Sequence, residues 1–128
     1  MKFEILDNRS IRKVRFTSKE AEYFTVEICG DISGSIRVYS YCPHSDTIDC
    51  VFKKLGSMLE PWDGELNWVS LEGEFSLKLS CDSLGHVFLR VEIDNDNEEF
   101  TINCGLNVDF GQLKEISKNA NDFFNENS

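Results

Sequence analysis

The sequence lacks the features that mark membrane, secreted and redox proteins. No apolar run approaches the roughly 20 residues of a membrane-spanning helix, and the first residues contain no apolar signal region. The five cysteines are odd in number and form no C-x-x-C pair, so we interpret them as thiols that pack like small hydrophobic side chains. These absences predict a cytoplasmic protein with no membrane contact, no metal and no cofactor.

Groups suited to catalysis are also scarce. The chain has two histidines, and the nearest approach to a catalytic pair is Asp82 with His86 across a predicted turn. The sequence places no serine or cysteine nucleophile beside them, so we predict that the protein is not an enzyme and has no catalytic residues. A second group has metal-binding side chains but matches no standard metal-site spacing: His44, Asp46, Asp49 and Cys50.

The chain has fewer basic than acidic residues, and the excess of acidic residues lies in its C-terminal part. The chain has 13 Lys and Arg against 23 Asp and Glu, a net charge of −10. Residues 1–54 hold nine basic and eight acidic side chains, net +1, whereas residues 55–128 hold four and fifteen, net −11. Because phosphates are bound by cations that replace their counterions, we predict no nucleic-acid partner. A basic protein is the natural complement, and an acidic surface that serves only solubility is the alternative.

What the sequence does contain is regular alternation of apolar and polar residues. At 128 residues the chain is long enough to bury its own core, so we predict a single domain over residues 1–128. The clearest pattern covers residues 71–93, where alternation on both sides of a Gly-bearing turn predicts a β-hairpin. Gly85 suits the left-handed position that closes such a loop.

Two apolar stripes with steps of three and four residues predict two helices. The first stripe covers residues 48–59, and Ser45 or Asp46 is its predicted N-cap. The second follows Asp109, a predicted N-cap with Gln112 as its capping-box partner.

Around these helices the chain repeats its order of elements. Phe24–Ile28 resembles Leu89–Ile93 at a shift of 65 residues, and each segment is followed by a turn, a strand and a helix. This order predicts an α+β fold with antiparallel sheets in a β4-α-β4-α order, in which two helices cover the apolar sheet faces. Five basic residues between Arg9 and Lys19 favour a charged edge strand there, or alternatively a nucleic-acid-binding strand.

Two acidic segments are the candidates for partner binding. Residues 92–99 contain five carboxylates and no cation, and a loop at residues 62–65 sets a tryptophan beside carboxylates, as in a binding hot spot. Whether Trp62 and Trp68 belong to the core or to the surface stays open. Clustered anions steer a basic protein into contact. The predicted partner-binding residues are Trp62, Asp63, Glu65, Glu92, Asp94, Asp96, Glu98 and Glu99.

Three segments look like a family of small bacterial proteins: Trp62-x-Gly64, Trp68-Val-Ser-Leu-Glu-Gly-Glu-Phe-Ser-Leu77 and Asp82-x-x-Gly85-His86-Val87. Small acidic proteins of this kind resemble immunity proteins of contact-dependent growth inhibition and related toxin systems, which bind and block a cognate toxin, commonly a nuclease. The β4-α-β4-α order is also similar to the Whirly fold of single-stranded DNA-binding proteins. The chain departs from the Whirly pattern because it has no basic Lys-Gly-Lys segment and is acidic.

The first resemblance implies a non-enzymatic immunity protein that neutralises a basic protein toxin through its acidic surface. One alternative is a single-stranded nucleic-acid-binding module, in which aromatic side chains stack on bases beside cations. The residues of that alternative are Tyr39, Tyr41, Phe88, Lys13 and Arg15. The other alternative is a generic protein-interaction domain. Fold similarity alone does not decide among them.

Overall fold

The computed structural model describes residues 1–41 and 46–125, whose strands form two four-stranded antiparallel sheets. Sheet A contains β1 (Phe3–Leu6), β2 (Lys13–Thr17), β3 (Tyr23–Cys29) and β4 (Gly34–Tyr39). Sheet B contains β5 (Glu65–Val69), β6 (Phe75–Cys81), β7 (His86–Asn95) and β8 (Phe100–Asp109). The helices are α1 (Ile48–Gly56) and α2 (Leu113–Phe124), with a short 3-10 turn at Phe110–Gln112. The predicted α+β fold and its β4-α-β4-α order are confirmed.

Each sheet is a simple meander, and the two similar segments occupy the same place in their sheets. Phe24–Ile28 lies in β3 and Leu89–Ile93 lies in β7, each the third strand of four. Alternate side chains of both segments are buried: Phe24, Val26 and Ile28 in β3, and Leu89, Val91 and Ile93 in β7. The alternation of apolar and polar residues that predicted these strands therefore corresponds to the buried and exposed faces of each sheet.

The inner faces of both sheets and both helices share one aromatic core. Phe16 of β2 is fully buried, and its ring centroid lies 6.2 Å from that of Phe52 in α1 and 6.1 Å from that of Phe75 in β6. The two helices also pack on each other. At Gly56, an added Cβ would lie 2.4 Å from Cβ of Ser117, so a larger residue would push the helices apart.

The turn between β1 and β2 joins sheet A to the outer edge of sheet B. The backbone N–H of Asn107 in β8 donates to Asp7 Oδ1 at 2.7 Å, and its carbonyl accepts from the N–H of Asn8 at 2.9 Å. Arg12 Nη1 donates to the carbonyl of Gly105 at 2.8 Å. These bonds cover part of an edge strand that would otherwise present free backbone groups.

The prediction that the basic second strand is an edge is wrong, because β2 pairs with β1 on one side and with β3 on the other. Its cations face carboxylates of those neighbours. Arg15 Nε lies 2.9 Å from Glu4 Oε2, Lys13 Nζ lies 3.1 Å from the same oxygen, and Arg15 Nη1 lies 3.5 Å from Glu27 Oε2. The two cations of β2 itself, Lys13 and Arg15, therefore serve cross-strand ion pairing.

The first helix is shorter than predicted. Its N-cap is Thr47 and not Asp46, while the other predicted cap, Ser45, lies outside the described residues. The helix ends at Gly56, and Leu59, the last position of the predicted stripe, is 85% exposed. Glycine is a poor helix former, which the apolar spacing alone did not take into account.

Two predictions about local geometry are confirmed. Gly85 has φ +85° in the turn between β6 and β7. Gln112 Oε1 accepts a hydrogen bond from the backbone N–H of Asp109 at 2.8 Å, which is the predicted capping-box contact. The capped element is the 3-10 turn, from which α2 continues.

Candidate partner-binding surfaces

The eight predicted partner-binding residues do not form one surface. The loop at residues 62–65 lies beside the Asp82–Ser83 turn, at the end of sheet B where β7 begins. Residues 94–99 lie at the opposite end of β7. Eight residues of strand separate His86 from Asp94, a span of about 27 Å. The two acidic segments are therefore separate candidates.

At the first candidate, the tryptophans are not exposed anchors. Trp68 is 3% exposed, and its Nε1 donates to the carbonyl of Asp46 at 3.0 Å, so it belongs to the core. Trp62 is partly buried against the core, with its ring centroid 6.4 Å from that of Phe110. Its buried Nε1 has no hydrogen-bond partner within the described part of the chain. The exposed groups of this loop are Asp63 and Glu65.

At the second candidate, the fold adds carboxylates from another turn. The backbone N–H of Asp94 donates to the carbonyl of Glu74 at 3.0 Å, which brings the β5–β6 turn beside the β7–β8 turn. The two turns line a concavity of about 440 Å³. We call the resulting group the acidic tip: Glu72, Glu74, Asp94, Asp96, Glu98 and Glu99. Glu72 and Glu74 were not among the predicted residues.

A buried serine fixes the turn that presents these two additional carboxylates. Ser70 is 3% exposed, and its Oγ accepts a hydrogen bond from the backbone N–H of Phe75 at 3.0 Å. The backbone N–H of Ser70 in turn donates to the carbonyl of Phe75 at 2.9 Å. Because both ends of the turn are tied together, the backbone that carries the two acidic side chains is held in a defined position.

The acidic tip has no internal counter-charge. Within residues 1–41 and 46–125, no Lys or Arg nitrogen lies within 4.0 Å of a tip carboxylate. Arg37 borders the concavity, but it lies 2.8 Å from Glu20 Oε2 and its guanidinium stacks 4.0 Å from the ring centroid of Tyr23. Oε1 of Glu74 is buried, and the described residues offer it no hydrogen-bond partner. That oxygen is closed to solvent, whereas the carboxylates that are exposed and accessible to a partner are those of Glu72, Asp96, Glu98 and Glu99.

Glu92 belongs to a different surface from the rest of the predicted run. Its side chain lies on the outer face of sheet B, where Asn103 Nδ2 donates to Glu92 Oε2 at 3.4 Å. Asp94, two residues further along β7, accepts from Thr101 Oγ1 at 3.4 Å and borders the tip. The predicted run of residues 92–99 therefore extends from the sheet face into the tip.

The residues of the nucleic-acid alternative are dispersed. Tyr39 and Tyr41 have ring centroids 6.0 Å apart at the end of β4 in sheet A, whereas Phe88 lies on sheet B. Lys13 and Arg15 are engaged by carboxylates of sheet A. The fold does not bring these five side chains together as a stacking platform beside free cations.

The Asp82–His86 pair lies within reach, as the sequence suggested, with Asp82 Oδ2 2.9 Å from His86 Nδ1. Asp82 Oδ1 also accepts from the backbone N–H groups of His86 and Leu84, both at 2.9 Å. The backbone hydrogen bond from His86 is the main cause that lowers the pKa of Asp82. These contacts give Asp82 the role of closing the β6–β7 turn.

The candidate metal ligands include His44, which lies outside the described residues. Among the residues that are described, no group of three or more His, Cys, Asp or Glu side chains is arranged to hold a metal ion. Nor is any helix in that part of the chain long and apolar enough to cross a membrane.

Comparison with known proteins places the chain in one family. A family model described as a family of unknown function matches residues 6–127, which run from the end of β1 to beyond α2. No curated protein and no solved structure matches the chain.

Proposed function

We propose that this chain, which belongs to the DUF6228 family of unknown function, is a non-enzymatic immunity protein that binds a basic protein toxin in the cytosol and neutralises it. The acidic tip is the observation that supports this proposal. Its carboxylates come from two turns, four of them line one concavity, and none of the six forms an ion pair with a Lys or Arg of the described residues. Lys and Arg side chains of a basic partner would form charge-assisted hydrogen bonds with the exposed carboxylates of the tip.

The mechanism is steric and electrostatic. A nuclease holds the phosphates of its substrate with Lys and Arg side chains, and the acidic tip offers anions to the same groups. The net charge of −11 in residues 55–128 raises the rate of encounter with a basic surface. Neutralisation is therefore stoichiometric: one molecule of the chain occupies one toxin molecule, without turnover.

Matched charge-neutralising variants test which candidate surface makes the contact. The tip variant carries Asp94→Asn and Asp96→Asn, and the loop variant carries Glu60→Gln and Asp63→Asn. Both variants change the net charge from −10 to −8. Each is co-expressed with the product of the neighbouring upstream gene, and cell survival, co-purification and association rate are measured.

We expect the wild type and the loop variant to protect the cell and to co-purify with the toxin. The tip variant should associate about tenfold more slowly at low salt, because steering by clustered charges is lost. Loss of binding in the loop variant alone would move the contact to residues 60–65. If the neighbouring product is not toxic and no toxic partner co-purifies, the immunity function is rejected.

The geometry bears differently on the two alternatives. A generic protein-interaction domain would use the same acidic tip and differs only in the identity of its basic partner. A single-stranded nucleic-acid binder needs aromatic side chains and free cations along one track, and the five residues proposed for it lie on two sheets.

A further inference from the structure

The outer face of sheet B carries a groove of about 550 Å³, and of the predicted partner-binding residues only Glu65 lines it. Lys78 of β6 and Arg90 of β7 are cross-strand partners in this groove, and Gly105 of β8 is the next partner in the same row. Phe88 lies on the same face two residues before Arg90 and is 43% exposed. The groove therefore combines two neighbouring cations, an aromatic wall and a stretch of bare backbone.

The two cations have no anionic partner in residues 1–41 and 46–125. No carboxylate of these residues lies within 4.0 Å of the nitrogens of Lys78 or Arg90. Arg90 Nη1 donates to the neutral Asn103 Oδ1 at 3.0 Å. Like charges directly opposite each other in a sheet repel, so this pair is unfavourable in the free chain. An anion bound between the two side chains would remove that repulsion.

Gly105 leaves the groove open, although the backbone conformation at this position does not require glycine. Its φ is not positive, and an added Cβ would meet nothing closer than the carbonyl of Leu89 at 3.8 Å, an ordinary contact. Glycine inside a strand weakens the strand and often marks the close approach of a ligand or of another backbone. Arg12, which holds Asp31 at 2.8 Å and the carbonyl of Gly105, lines the same groove. The fold does not require glycine at this position, and the missing side chain leaves room there for a ligand.

We infer that this groove binds a segment of a partner polypeptide through one carboxylate held between Lys78 and Arg90. A neighbouring apolar or aromatic side chain of the segment contacts Phe88. Arginine is suited to this task because its planar guanidinium binds a carboxylate with two parallel hydrogen bonds.

The charges around the groove favour a polypeptide over nucleic acid. Glu65, in the row that contains Phe88, lies on one side of the cation pair, and Glu92, two residues after Arg90, lies on the other. A continuous chain of phosphates would meet both carboxylates, whereas a single acidic residue between neutral or basic residues avoids them. The charges of this surface are therefore complementary to a polypeptide segment that has one carboxylate among neutral or basic residues.

This inference deepens the proposed function, because such a segment suits a basic toxin that contacts the acidic tip with its cations. The groove lies on the face of β7 and the acidic tip at its end, with Glu92 between them. Binding in the groove can be tested with peptides alone, without a toxin. A failure of the groove to bind is therefore distinguishable from a failure of the immunity function.

The first experiment titrates the isotope-labelled full chain with acetyl-Lys-Phe-Asp-Lys-amide and follows backbone amide signals by NMR. We expect saturable shifts at Phe88, Arg90 and Gly105. The matched peptide with Asn in place of Asp should bind at least about fivefold more weakly, because a charge-assisted bond becomes a neutral one. The absence of saturable shifts at these residues, or equal binding of the two peptides, would overturn the inference.

Three variants locate the site. Gly105→Val fills the groove and leaves both cations in place, and Arg90→Gln removes one cation and leaves the groove open. Lys114→Gln, on the exposed face of α2, is the charge-matched control. We expect about tenfold weaker binding for the first two, because Arg90→Gln loses a charge-assisted hydrogen bond and Gly105→Val obstructs the approach of the segment. Binding to the control should be unchanged.

Two results contradict the site. Wild-type affinity in Arg90→Gln would reject it, and that variant remains informative if Gly105→Val does not fold. A ten-nucleotide oligothymidylate is the competitor that tests the other class of ligand. If it displaces the peptide at a lower concentration than the peptide itself needs, the groove is a nucleic-acid site and the inference fails.

Discussion

The two sheets have the same strand order and share one core, but their outer faces treat charge differently. On sheet A, Glu4 lies 2.9 Å from Arg15 and 3.1 Å from Lys13, and Arg15 also reaches Glu27. On sheet B, Lys78 and Arg90 face each other across the β6–β7 ladder with no carboxylate of the described residues within 4.0 Å. A face whose charges are paired serves the chain itself, whereas a face with unpaired cations leaves charge available to a partner.

The shared core is tested by the same substitution at equivalent positions of the two sheets. Ile28 in β3 and Ile93 in β7 are 1% and 0% exposed and lie 65 residues apart, at matching places in the repeat. We expect Ile28→Ala and Ile93→Ala each to lower the free energy of unfolding by about 2–5 kcal/mol, because each leaves a cavity in a packed core. Denaturant unfolding measures both effects. A small loss at one position and a large loss at the other would show that the halves do not contribute equally to the core.

The inner faces were predictable from the sequence because burial imposes a period on each element. Alternation at Phe24, Val26 and Ile28 indicated a strand with one buried face, and the structure confirms it. Pairing was harder to predict. The interior position of β2 depends on β1, a strand of four residues, and a cluster of basic residues looks the same on an edge strand and on a paired one.

The acidic tip could be predicted only in part, for a geometric reason. Asp94 and Asp96 were predicted because they are close in sequence to other carboxylates. Glu72 and Glu74 join them through the hydrogen bond from Asp94 N–H to the carbonyl of Glu74, a contact between turns about 20 residues apart. The groove was missed because Lys78 and Arg90 are 12 positions apart and become neighbours only through the register of β6 and β7.

Two glycines, one in each half of the chain, are present for different reasons. The backbone conformation requires glycine at Gly30, whereas at Gly105 the backbone would accept a side chain. Gly30 has φ +115°, and an added Cβ would lie 2.6 Å from the carbonyl oxygen of Ile11, so Gly30→Ala should destabilise the fold by more than about 1 kcal/mol. Gly105→Ala should have the opposite sign and stabilise β8 by about 0.5–1 kcal/mol, because alanine suits a strand interior better than glycine does. Thermal unfolding of both variants measures the two signs. Destabilisation by Gly105→Ala would mean that the fold itself needs this glycine.

The smallest expected effects on stability come from one Glu→Gln substitution on the outer face of each sheet. Because the two substitutions are isosteric, they compare the two faces directly. Glu4→Gln removes the carboxylate that Arg15 and Lys13 share, and should lower the free energy of unfolding by about 0.5–1 kcal/mol at neutral pH. Glu92→Gln removes a carboxylate that contacts the neutral Asn103. This substitution should change the free energy of unfolding by less than about 0.5 kcal/mol. Urea unfolding at several pH values measures both differences.

The effect of Glu4→Gln on the free energy of unfolding should depend on pH in a definite direction. The hydrogen bond from Arg15, opposed by burial, is the main cause that lowers the pKa of Glu4 in the folded chain. Its contribution to stability is therefore complete above the ordinary glutamate pKa of about 4.3 and is lost as the pH falls through the lower folded value. The difference between wild type and Glu4→Gln should shrink on acidification through this range. A difference that stays constant would show that the ion pairs of sheet A do not stabilise the fold, and the contrast between the two faces would then rest on the unpaired cations of sheet B alone.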